Sequence, residues 1–69
     1  MDNETWLIKA FMKTYSYSSL DRLLEDWWPV IGPNNSNKIE SFNFVRNETY
    51  NFPCDFGGYV QIARKDTHR

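Results

Sequence analysis

Cys54 is the only cysteine in this chain of 69 residues. A domain this small buries only about 60% of the surface its unfolded chain exposes, so it usually needs a staple. One cysteine cannot form an internal disulfide. One cysteine and one histidine cannot supply the four Cys/His ligands of a structural zinc site. We therefore expect no metal and no cofactor, and the staple must be large apolar side chains or a partner. The chain has three Trp, four Tyr and five Phe. Each such ring can bury on the order of 150–250 Å2. The aromatics are expected to form the core, with a few left over for contact.

The stretch Ser18 to Gly32, SSLDRLLEDWWPVIG, carries the clearest pattern. Leu20, Leu23, Leu24 and Trp27 recur at helical spacing and make one apolar stripe. Ser18 suits the N-cap and Asp21 suits the first turn. Pro29 is expected to stop the helix, because it lacks an amide proton and disfavours helical backbone at Trp28. Successive helical residues lie about 100° apart, so Trp27 and Trp28 cannot sit equally deep in one core.

Upstream, Leu7, Ile8, Phe11, Met12 and Tyr15 read as a second helical stripe, capped by Asp2 or Asn3. The polar segment TYSYSS separates the two helices and predicts an antiparallel helix pair, with Ile8, Phe11 and Tyr15 facing Leu20, Leu24 and Trp27. Residues 29–37, PVIGPNNSN, read as a loop. Residues 39–46, IESFNFVR, alternate as a strand, followed by TYNF at 49–52 and YVQIAR at 59–64. Gly57 and Gly58 suit a turn between the last two.

The expected fold is one α+β domain over residues 1–69. An N-terminal two-helix hairpin (about 4–15 and 19–28) packs on a small C-terminal three-stranded antiparallel sheet (about 39–46, 49–52 and 59–64).

Function is less legible. Eight basic against nine acidic residues leave a net charge of −1 and no general drive toward nucleic acid or anionic membrane. No apolar run approaches the 18 residues a membrane helix needs. The N-terminal MDNETW lacks the basic segment of a secretory leader, so a cytoplasmic location is expected. Cys54 and His68 lack a third group that would order them as a nucleophile pair. The glycines have no phosphate-loop spacing. An enzyme is not expected.

A small soluble protein-binding module is the leading expectation: an inhibitor or modulator of the phage or mobile-element type, covering a site on a larger cellular protein. Its predicted surface is Glu25, Asp26, Trp27, Trp28 and Val30, an acidic rim beside a tryptophan pair followed by a rigid proline. A single-stranded nucleic-acid binder is the alternative, stacking bases on Phe42, Phe44, Tyr50 and Tyr59 with Arg46 and Arg64 as the basic rim. A homodimer or larger homo-oligomer, burying spare aromatics against a copy of the chain, is the third.

Overall fold

The computed structural model describes residues 4–55 and 57–66. The chain runs β1 (Glu4–Ala10), β2 (Lys13–Tyr17), α1 (Leu20–Ile31), α2 (Pro33–Glu40), β3 (Thr49–Pro53) and β4 (Tyr59–Asp66). The strands form one antiparallel sheet in the order β2-β1-β4-β3, so the first and last strands pair at its centre. The fold is α+β, but the expected N-terminal helix hairpin on a three-stranded sheet is overturned. Strands come first, the helices sit in the middle, and the sheet has four strands.

The first 17 residues show why. Leu7, Ile8, Phe11, Met12 and Tyr15 fit a helical period, but Trp6, Ile8 and Ala10 also alternate with Leu7 and Lys9 at the strand period. Thr5, Trp6, Ile8, Thr14, Tyr15 and Tyr17 are β-branched or aromatic, which suits a pleated, half-buried surface. In the sheet, Trp6, Ile8 and Ala10 are buried under the helices while Lys9 faces outward. The predicted proximity of Phe11 and Tyr15 to Trp27 does occur, through a hairpin instead of a helix.

Pro29 does not end α1. The helix continues to Ile31, and Gly32 closes it at φ +94° with its N–H donating to Trp28 O at 3.0 Å. The N-cap is Ser19, one residue beyond Ser18, and its hydroxyl accepts from Arg22 N at 3.2 Å. The apolar stripe faces the sheet: Leu23 and Ile31 are fully buried, and Leu24 and Trp27 nearly so.

Residues 39–46 form no strand. The segment read as a loop is α2, which starts with Pro33 in its first turn, where a proline loses no hydrogen bond. Ser36 and Ile39 are its buried residues. After α2 the chain leaves helical backbone, and Phe42 and Phe44 join Tyr50 and Phe52 in a cluster of edge-to-face and tilted rings with centroids 4.8–5.7 Å apart. Trp6 meets Phe44 at 5.1 Å and extends that cluster into the sheet. β3 and β4 occupy the stretches read as the second and third strands.

Candidate functional site

The β1–β2 hairpin is closed by two residues, Phe11 and Met12, between the paired Ala10 and Lys13. Phe11 has φ +54° and Met12 φ +64°. Positive φ at both central positions is the type I′ geometry, which normally recruits Asn-Gly. For other L-residues the left-handed region costs roughly 1–2 kcal/mol each. The chain holds two large apolar residues there, and both face solvent: Met12 is 94% exposed and Phe11 67%. Strain of this kind persists only where the surroundings hold it, and it concentrates at functional sites.

The surroundings do hold it. Phe11 stacks over Trp27 with centroids 6.5 Å apart and planes at 23°, and Tyr15 meets the same indole edge-on at 5.2 Å. Trp27 Nε1 donates to Tyr17 Oη at 2.9 Å. The Tyr17 hydroxyl in turn donates to the Asp26 carboxylate. Burial raises the Tyr17 pKa above its usual value, and the bond to Asp26 adds to the rise. These contacts clamp the hairpin's second strand to α1.

The predicted surface residues are divided by this arrangement. Trp27 is 7% exposed and belongs to the core, Asp26 serves Tyr17, and Val30 is half-buried against the core. Glu25 and Trp28 are exposed, Trp28 at 46%. Two helical steps separate Asp26 from Trp28, a rotation of about 200°, so they leave α1 on opposite flanks. The five residues do not make one contact face. Sequence reasoning missed Met12 and Phe11, because a helical stripe and a strained hairpin tip use the same residue types. Neither position carries the Asn or Gly that marks a two-residue turn.

The aromatic and basic residues of the nucleic-acid alternative are also dispersed. Phe44 is buried, Tyr50 half-buried, and Phe42 sits at the rim of their shared cluster. Tyr50 donates its hydroxyl to Glu48 at 3.1 Å. Arg64 Nε lies 2.9 Å from Glu4 Oε2, and Arg46 lies within 3.8 Å of Glu4 and Asp66. Tyr59 is exposed in β4, out of step with the buried Val60 and Ile62, and so on the sheet's uncovered face. No single platform gathers these six residues.

That uncovered face carries a shallow recess lined by Leu7, Lys9, Thr14, Thr49, Gln61, Ala63 and Lys65, with no carboxylate. A second recess is lined by Tyr17, Arg22, Glu25 and Asp26. Among the described residues, no group of three His, Cys, Asp or Glu could hold a metal ion. Cys54 is buried, and burial with the nearby Asp55 charge pushes its thiol pKa up, away from a reactive thiolate. His68 lies outside the described residues. No described helix is long and apolar enough to cross a membrane.

No known protein family, no curated protein and no solved structure matches this chain.

Proposed function

We propose that this protein is a protein-binding module that anchors on a larger protein through the tip of its β1–β2 hairpin and acts by covering the surface it docks on. One observation carries this reading: Met12 occupies a left-handed turn position while its side chain stands in solvent, beside Phe11, which is stacked on Trp27. Met12 has almost no packing of its own to offset the backbone cost, so a contact outside the chain is the natural return on it. An unbranched thioether adapts to the shape of a partner's pocket. A preorganised hairpin loses little entropy on docking. Trp28 and Glu25, on the far flank of α1, are not required for this contact.

The test is site-specific photocrosslinking in cells that express the protein. A benzophenone amino acid at position 12 is expected to capture a defined heterologous protein. The same group at the exposed Glu40, on α2, is expected not to capture it. Met12→Gly in the untagged chain should compete poorly for that species. Equal capture from both positions would sink the assignment of the tip.

A further inference from the structure

The sheet has two edges, and they differ. β3 carries Pro53, which offers no N–H. β2, KTYSY, has no proline and no glycine, and it pairs with β1 one-to-one without a bulge from Trp6–Tyr17 to Ala10–Lys13. Its outer side is the sheet's edge, and Thr14, Tyr15 and Ser16 are exposed. Apart from Lys13 at its start, this edge lacks the proline or bulge that would block pairing, and such edges are templates for another strand.

We propose that the outer edge of β2 pairs antiparallel with the same edge of a second copy, about a two-fold axis at Tyr15, fusing two four-stranded sheets. The hydrogen-bond parity fits. In a two-residue hairpin the pair flanking the turn, here Ala10 and Lys13, exchanges both backbone bonds. Lys13, Tyr15 and Tyr17 therefore turn their backbone groups toward β1, and Thr14 and Ser16 turn theirs outward. Pairing about Tyr15 sets Thr14 against the partner's Ser16 and Ser16 against the partner's Thr14, with both N–H groups and both carbonyls matched. Tyr15 meets the partner's Tyr15 in a non-hydrogen-bonded pair, where side chains approach most closely.

The side chains are self-complementary too. On the uncovered face the opposed residues are Thr and Ser, a favourable cross-strand combination. On the helix face, Lys13 falls opposite the partner's Tyr17. That places its ammonium at the mouth of the recess formed by Tyr17, Arg22, Glu25 and Asp26, where two carboxylates outnumber one guanidinium. The same contact repeats across the axis, as an isologous interface requires. This dimer goes beyond the hairpin-tip contact: it uses the flank of the hairpin, and Met12 lies outside its central pairs.

Light scattering over a concentration series, with three variants, tests it. The unmodified protein is expected to dimerise with rising concentration. Ser16→Pro removes an outward N–H and no bond to β1, so it should raise the dimer dissociation constant at least tenfold while far-UV circular dichroism is unchanged. Tyr15→Cys, in a chain whose own Cys54 is buried, should crosslink to a disulfide dimer on mild oxidation, and Thr14→Cys should do so far more slowly. A monomer at every concentration, a dimer indifferent to Ser16→Pro, or Thr14→Cys crosslinking as fast as Tyr15→Cys would overturn the pairing. Photocrosslinking from position 12 in the Ser16→Pro chain keeps the two contacts apart, because loss of the dimer leaves the tip in place.

Discussion

Trp27 and Tyr17 are ten residues apart in sequence and share a hydrogen bond of 2.9 Å, indole N–H to phenol oxygen. The bond joins α1 to the edge strand of the sheet, and Asp26 completes it by accepting from the phenol. Tyr17→Phe would leave the indole N–H and one carboxylate oxygen without this partner. The expected cost is about 1 kcal/mol. For a domain of this size that is a fall in Tm of about 4–8 °C, measurable by thermal denaturation.

The same phenol sets an alkaline limit. Burial first, and Asp26 second, hold its pKa above the ordinary 10.0. The folded chain keeps a proton that the unfolded chain releases near pH 10, so the unfolded state binds fewer protons in that window. The contribution is fully present below pH 10 and is lost as pH rises toward the folded-state pKa. Urea denaturation at a series of pH values above 9 should show a steeper loss for the wild type than for Tyr17→Phe. Parallel slopes would contradict the assignment.

Gly32 joins the two helices and has no room for a side chain. Its φ is +94°, and a Cβ there would lie 1.8 Å from Asp55 Oδ2. Asp55 is held in place: its N–H donates to Ile31 O at 3.2 Å, and its carboxylate accepts from Asn35 Nδ2 at 3.0 Å. Gly32→Ala therefore combines backbone strain with displacement of Asp55, and should cost about 2 kcal/mol or more. Gly57, at φ +93° with open space around its Cβ direction, is the control. Gly57→Ala meets the strain alone and should cost less, as chemical denaturation of both variants would show.

Cys54 gives a probe of opening. It is buried, and burial, then the Asp55 charge, raise its pKa above the ordinary 9.0. Native protein should react with a thiol reagent only at the rate at which the structure opens, and added urea should accelerate the reaction. The raised pKa also means that its share of stability is intact below pH 9 and declines above it. Fast, urea-independent labelling would show that the thiol is not enclosed.

How much of this was legible from sequence depends on the residue. The core face of α1 was, because Leu20, Leu23, Leu24 and Trp27 match one period only. The hairpin was not, because residues 6–15 satisfy two periods at once and the turn lacks Asn-Gly. Helix α2 was hidden by its polar, asparagine-rich composition; what the composition did not reveal is that Ile39 anchors it and Pro33 starts it. Pro29 misled in the other direction, since the contacts of Ile31 with the core carry α1 past it. The exposed second tryptophan was anticipated. The place of the first in the core beside Phe11 and Tyr15 was anticipated too; its bond to Tyr17 was not, because Tyr17 arrives from a strand that the sequence had disguised as the break between two helices.

Met12 is the side chain through which the proposed contact is made, and replacing it is the sharpest test of that contact. Glycine adopts the left-handed turn position without steric cost but loses more entropy on folding, by roughly 0.5–1 kcal/mol. The strain it relieves is roughly 1–2 kcal/mol. The measurement is the urea-unfolding free energy of Met12→Gly beside crosslinking competition against the wild type. The predicted result is a fold as stable as the wild type, or more stable by up to about 1.5 kcal/mol, that no longer competes for the partner captured at position 12. A variant that is destabilised, or that competes as well as the wild type, would contradict the claim that this side chain is held out for a partner.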